Sequence, residues 1–452
     1  MQASKKRPAS QLDSAEASTS NKVSKVHPFF SKAPAAEPTN PSSLRWLKPL
    51  GRTCLHGVNL EPKSSTKVAA FDLDGTVIAS LPFSAPKLEW HWWNPCVPAK
   101  LAEAANQGFV FRGYTFPSDL GCIFVSYAII IISNQAGLKS TSLEKKWKEK
   151  LGLIAAALPD VPFRLFAATA KDRYRKPMIG MWEELESLYA EDGVQIDKAS
   201  SFYVGDFAGR HYPNSTKMKD HAATDRKWAL NVDIPFKTPE EHFLGKPPDP
   251  NFKLQGFHVS SLPSLPAFTP FSSPLLSPEP TLELVLFVGY PCLGKTRFYR
   301  QHFEPAGYLH VNQDTLKSRD KCVKAVREAL AAGKKCVVDN TNRDASTRRY
   351  YIDAAAKHGV PVRCMWFTGS LELAWHNNLY RAYALPPSVA ACELPRDIVP
   401  MSAFSSFKDD FEEPELKEGF AHVKKVNWVF DGTEAERKAW SMWLQLDEKK
   451  GG

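Results

Sequence analysis

No two of the chain's cysteines form a CxxC pair. The eight present, at positions 54, 96, 122, 292, 322, 336, 364 and 392, are scattered, a spacing that fits neither a zinc site nor a small disulfide scaffold. Reduced thiols in a cytosolic or nuclear protein are expected. A secretory leader is lacking, because MQASKKRPASQLDSAEASTS has no apolar core. So is a membrane span: the most apolar run, Ile123–Ile132, falls short of the ~20 residues that a bilayer requires. No segment of one half recurs in the other. What is plentiful is apolar material, 43% hydrophobic and 12% aromatic over 452 residues. That excludes a wholly disordered chain and leaves room for about two domains.

Charge is unevenly spread. Residues 1–50 hold eight Lys/Arg and three Asp/Glu, a net +5 of the chain's +9. Residues 1–45 are rich in Ser, Ala, Pro and Lys and are expected to be a disordered basic tail. Lys5-Lys6-Arg7-Pro8 reads as a nuclear localisation patch or as plain solvating charge. Val23-Ser-Lys-Val26-His-Pro-Phe29-Phe30 places two aromatics in a polar tail. It resembles, with Val in place of the usual Gln, the motif that docks on the sliding clamp of replication through residues such as Val26, Phe29 and Phe30.

The rest predicts an α/β protein with two different α/β domains, residues 46–245 and 281–452. Strands are expected at Val68–Phe71, Ala128–Ile132, Arg164–Ala167 and Ser201–Val204, with helices at Leu143–Leu158 and Met178–Tyr189. Such alternation implies βαβ units and a parallel sheet. Further strands are expected at Leu282–Val288, Lys335–Val338 and Arg363–Phe367. Residues 246–280 carry nine prolines, a density read as an interdomain linker.

Two sets of motifs carry chemistry. In the first domain Asp72-Leu-Asp74-Gly75-Thr76 follows a buried strand, where ligands of open α/β sheets bind. Two carboxylates there can hold Mg²⁺ while one acts as nucleophile and the other as acid/base. Ser133-Asn134-Gln135, Arg175-Lys176-Pro177 and Gly205-Asp206 follow in order, offering a hydroxyl, a cation and a third acid. In the second domain Gly289-Tyr-Pro-Cys-Leu-Gly294-Lys295-Thr296 is a phosphate-binding P-loop between a strand and a helix. Its glycines let backbone N–H groups wrap phosphates, Lys295 reaches β/γ oxygens and Thr296 ligates Mg²⁺. ATP or GTP binding follows. Asp314 is placed to take a proton from an acceptor hydroxyl. Asp339-Asn340-Thr341-Asn342 offers polar groups to the acceptor or to a Mg²⁺-bound water. Arg381 is placed as a lid arginine, and Arg348 and Arg349 are read as an exposed helix face.

The first motif set resembles the haloacid dehalogenase superfamily of phosphotransferases. Together with the P-loop, and with YRKPMIGMW, DRKWALN, PFKTPEEHFL, VNQDTLK and VDNTN, the chain from about residue 45 resembles the polynucleotide kinase 3′-phosphatase family. The resemblance implies a bifunctional enzyme for DNA with 3′-phosphate or 5′-hydroxyl termini, using Mg²⁺ and ATP; with the basic tail and the short apolar runs, the expectation is a nuclear monomer with no membrane partner. It implies Asp72 as nucleophile, Asp74 as acid/base, and Ser133 and Lys176 on the phosphoryl oxygens. Mg²⁺ would sit on Asp72, Asp206 and the Asp74 carbonyl. An RNA end-healing enzyme and a repair scaffold with one active centre are the alternatives. Three departures stand out. The forkhead-associated domain of the animal enzymes has no counterpart, as in the shorter fungal form. Gln313 replaces an Arg. The stretch Phe109–Ala128 intervenes between a helix and its strand and is expected to be a poorly ordered insert.

Overall fold

The computed structural model describes residues 44–81, 88–106, 126–211, 220, 222–277, 281–392 and 397–445. The tail motifs therefore lie outside the described residues. The first sheet comprises β1 (Leu44–Trp46), β2 (Cys54–Asn59), β3 (Val68–Phe71), β4 (Ala128–Asn134), β5 (Phe163–Ala168), β6 (Phe202–Val204) and β7 (Phe236–Lys237), in the order β1-β2-β5-β4-β3-β6-β7. The strands from β5 to β7 run parallel, and β2 and β1 extend the sheet antiparallel. β3 and β4 are almost wholly apolar because both faces are covered. Helices α1 (Val97–Asn106) and α2 (Thr141–Ala156) pack on one face; α3 (Gly180–Glu191) and α4 (Thr224–Val232) pack on the other. The TPEE sequence opens α5 (Pro239–Leu244): Thr238 and Glu241 form a capping box around Pro239.

The second sheet comprises β8 (Phe268–Thr269), β9 (Leu284–Val288), β10 (Leu309–Val311), β11 (Cys336–Val338), β12 (Val362–Phe367) and β13 (His422–Val426), in the order β10-β11-β9-β12-β13-β8. All its pairs are parallel except β13–β8. Its helices are α6 (Lys295–Phe298), α7 (Gln313–Leu316), α8 (Arg319–Ala331), α9 (Ala345–Ala356), α10 (Leu371–Tyr383), α11 (Pro387–Ala390), α12 (Met401–Asp410) and α13 (Glu434–Trp440). The chain is thus two α/β domains, as expected. Among the described residues no helix is long and apolar enough to cross a membrane.

The proline-rich stretch supplies β8, the edge strand of the second sheet. Prolines remove N–H donors but leave carbonyls, and these carbonyls receive buried side chains. Lys424 donates to Pro270 O at 2.6 Å and Ser273 O at 2.7 Å; Arg363 donates to Leu275 O at 3.1 Å; Asn427 donates to Pro266 O at 2.7 Å.

Residues 109–125 of the expected insert lie outside the described residues. Its flanks meet, since Tyr127 N–H donates to Ala104 O at 3.2 Å, and Ala128 already belongs to β4.

Arg348 is not on an exposed face, as its place beside Arg349 predicted. It is fully buried, forks onto Glu418 with two hydrogen bonds of 2.7 Å, and donates to Asn342 O and Glu412 O. Removing one partner of such a buried pair costs about 3–5 kcal/mol, so this bridge ties α9 to the turn before β13. Arg349 does lie outside, paired with Asp353 at 2.8 Å.

Candidate active sites

β3, β4 and β6 run in register, Phe71 opposite Ile131 and Val204, so their carboxyl ends share one sheet edge. Asp72 and Ser133 are buried there, and Asp206 follows two residues after β6. The loop after β5 adds Lys176, 2% exposed. Its ammonium donates to Asp72 Oδ1 at 2.6 Å, Asp225 Oδ1 at 2.7 Å, Tyr203 OH at 2.7 Å and Ile132 O at 3.1 Å. Asp74 stands at the rim, its side chain 43% exposed. Gln135 spans the gap, donating to Asp74 Oδ2 at 2.6 Å and Ser133 Oγ at 2.9 Å.

The electrostatics follow from burial. Asp72 is pushed up to about 7 by desolvation, which outweighs the pull of Lys176, with Asp225 adding repulsion. Asp206 is raised by burial and by Asp72 and Asp225. Burial works against the Lys176 charge too, but Asp225 and Asp72 prevail and hold its pKa above the ordinary lysine value. Carboxylate oxygens of Asp72, Asp206 and Asp225 lie within 4.8 Å of one another, and Asp206 Oδ1 is buried with no hydrogen-bond partner among the described residues. Three carboxylates facing one ammonium fit a hard dication. Asp225 is already engaged: Tyr203 OH donates to its Oδ1 at 2.9 Å and Phe207 N–H to its Oδ2 at 3.0 Å. Asp72 and Asp206 therefore keep the oxygens that are available to a metal, while Asp225 acts as counterion to Lys176.

Gly75 makes this packing possible. Its φ is +90°, and a Cβ there would lie 2.4 Å from Asp206 Oδ2. Gly75→Ala must displace Asp206 or the Asp74–Thr76 turn. Any reaction at this cluster should slow on the order of 10²-fold, as misplacement by about 1 Å in an active site does, with turnover at the P-loop retained. Wild-type kinetics at the cluster for Gly75→Ala would show that Asp206 need not sit where it does.

In the second domain β9 leads into the P-loop. Gly289 lies against Phe367, where a Cβ would meet Phe367 O at 2.8 Å; Gly294 caps α6 at φ +82°. Lys295 donates to Gly289 O at 3.0 Å and Tyr290 O at 2.5 Å. Burial lowers it to about 8, against the opposing pull of Asp339, and both Asp314 and Arg381 lie within electrostatic reach. Thr296 Oγ1 donates to Asp339 Oδ2 at 2.6 Å, and His310 Nε2 lies 2.9 Å from the same oxygen. Burial would raise Asp339, but these hydrogen bonds and Lys295 hold it below the usual carboxylate range. Asp314 is exposed in the first turn of α7. Arg381, on α10, lines a cleft of about 290 Å³ beside Gly294, Arg297 and Phe298, and its Nε is buried without a hydrogen-bond partner among the described residues. A buried, unpartnered guanidinium nitrogen in a P-loop cleft is suited to an anionic ligand.

Residues 67–243 match the family model described as polynucleotide kinase 3 phosphatase, and residues 284–414 match that of an AAA domain. A bifunctional polynucleotide phosphatase/kinase of Schizosaccharomyces pombe is 35% identical over 391 residues, 85% of this chain and 84% of that protein. The chain belongs to that family. A putative bifunctional polynucleotide phosphatase/kinase of Acanthamoeba polyphaga mimivirus is 30% identical, covering 85% of this chain and 90% of its own. An Arabidopsis thaliana polynucleotide 3′-phosphatase is 30% identical over 40% of this chain and 24% of that protein. This member of the bifunctional phosphatase/kinase family is an enzyme with a phosphatase domain and a nucleotide-using P-loop kinase domain.

The structure gathers Asp72, Asp74, Ser133, Lys176 and Asp206 at one sheet edge. It places Gly289, Gly294, Lys295, Thr296, Asp314 and Arg381 around the other. Asp225 was not singled out by its sequence context. In DRKWALN it looks like an ordinary acid in the first turn of a helix, and only the fold carries it to Lys176.

Proposed function

We propose that this enzyme converts 3′-phosphate and 5′-hydroxyl termini at DNA strand breaks into 3′-hydroxyl and 5′-phosphate termini fit for ligation. The observation that carries this reading is the pairing in one chain of the Asp72–Lys176–Asp206 cluster with a P-loop whose Thr296 donates to Asp339 Oδ2 at 2.6 Å and whose Lys295 lies within electrostatic reach of Asp339. In the phosphatase, Asp72 attacks the phosphorus of the 3′-phosphate. A bond forms to its carboxylate oxygen, and the bond to O3′ breaks as Asp74 gives that oxygen a proton. Water then displaces the aspartate from phosphorus, with Asp74 taking its proton, and inorganic phosphate leaves. Ser133 and Lys176 hold the phosphoryl oxygens. Asp72, Asp206 and the Asp74 carbonyl would hold Mg²⁺, which would supply positive charge to the transferring group when bound. In the kinase, Lys295 and Arg381 hold the phosphates of ATP, and Asp314 receives the proton of the 5′-hydroxyl as its oxygen bonds to the γ-phosphorus, the bond to the β–γ bridging oxygen breaks and ADP leaves; Thr296 would hold Mg²⁺ when it is bound.

A DNA duplex bearing both blocked ends tests this. Without ATP only the 3′-phosphate should be released; with ATP the 5′ end should also be phosphorylated; EDTA should stop both. An RNA duplex processed faster than DNA would replace this reading with RNA end healing. Nuclear residence rests on Lys5-Lys6-Arg7-Pro8, and docking on the sliding clamp rests on Val26, Phe29 and Phe30. Loss of clamp capture on changing Phe29→Ala and Phe30→Ala together is the expected result, and undiminished capture would discard the motif.

A further inference from the structure

We propose that the kinase domain holds the phosphatase lysine in place: the loop bearing Lys176 is anchored on the last residues of the kinase domain, with Asn231 as the positioning residue between them. This inference rests on the role given to Lys176 above.

Three consecutive residues of that loop are fixed in different ways. At Lys176 the phosphatase domain does the work: Asn134 Oδ1 accepts from Lys176 N–H at 2.9 Å and Asn134 Nδ2 donates to Lys176 O at 3.2 Å. At Pro177 the carbonyl accepts from Asn231 Nδ2 at 2.7 Å. Asn231 in turn is clamped to Trp443, donating to its carbonyl at 2.8 Å and accepting from its N–H at 2.8 Å. These partners fix the amide orientation, because the carbonyls need a donor and the N–H an acceptor. At Met178, 2% exposed, the side chain is buried with Leu379 of α10 and Leu444, both from the kinase domain.

Helix α4 links the two sides. Asp225, in its first turn, holds the Lys176 ammonium. Lys227 and Asn231, four apart and so on one face, meet the kinase domain's end; the Lys227 ammonium lies 4.8 Å from the Trp443 ring centroid. One short helix thus grips the lysine at its charged tip and, through Pro177, at its backbone. A buried ammonium shared between two carboxylates has little freedom to move, so its backbone must be set from outside. Part of that setting comes from the other domain.

The test is made in the full-length protein with Asn231→Ala and, separately, Leu444→Ala, each assayed for both activities on the same duplex, with Lys176→Ala as control. The expected result is a fall in kcat for 3′-phosphate removal of about 10-fold or more, with KM little changed and 5′-kinase turnover retained. If both activities fall together, the contact serves only general stability and the proposal is overturned. It is equally overturned if Lys176→Ala is inactive as a phosphatase while Asn231→Ala and Leu444→Ala match wild type. A fully active Lys176→Ala would instead bring down the role of the lysine itself, and the proposal with it.

Discussion

Asp72→Asn is expected to remove 3′-phosphate release, on the order of 10⁴-fold or more, the scale on which loss of a member of a catalytic unit is felt, while 5′-phosphorylation continues. An amide cannot form the bond to phosphorus that the carboxylate forms. The structure also separates this loss from misfolding. Asp72 is buried beside Asp206 and Asp225, and burial already raises it to about 7. Neutralising it relieves repulsion, and Lys176 keeps Asp225 as its counterion at 2.7 Å. The variant should therefore melt no lower than wild type in the absence of divalent cations. A lower melting temperature together with the lost activity would point to collapse of the cluster, and retained turnover would remove Asp72 from the nucleophile's place.

What could be read from the sequence was the chemistry local to strand ends. Asp72, Ser133, Asp206 and the P-loop each follow a buried apolar run, and the parallel register brings them together without any further information. Contacts made across long sequence separations were not legible. Asp225 reaches Lys176 over 49 residues, and Arg348 reaches Glu418 over 70, so an acid in a helix's first turn and one of two adjacent arginines looked ordinary. β2, CLHGVN, is buried at every position, yet its His, Gly and Asn give neither alternation nor a continuous apolar run. The proline-rich stretch was read through its missing donors. Its role in the second sheet comes from its carbonyls, which accept from Arg363, Lys424 and Asn427.

The two activities should separate in the opposite direction through Lys295 and Asp314. Lys295→Ala removes the cation meant for the β/γ-phosphates, and Asp314→Ala removes the proton acceptor for the 5′-hydroxyl. Each should lower kinase turnover by about 10²-fold or more, the lower end for a positioned charge or base. Among the described residues Lys295 is bonded only within its own loop, to Gly289 O and Tyr290 O, and Asp314 is exposed, so neither change should unfold the domain. Nor does either residue touch the kinase segment that supports Lys176, which runs through Leu379, Trp443 and Leu444. Release of 3′-phosphate without ATP should therefore stay at the wild-type rate, scored on the same duplex by resolving the two ends on a denaturing gel. A kinase-dead Lys295→Ala protein that melts cooperatively but has also lost its phosphatase would mean that the phosphatase depends on the P-loop itself. The support reaching Lys176 would then pass through α10, whose Asn377 donates to Cys292 O of that loop at 3.2 Å, rather than through Trp443 alone.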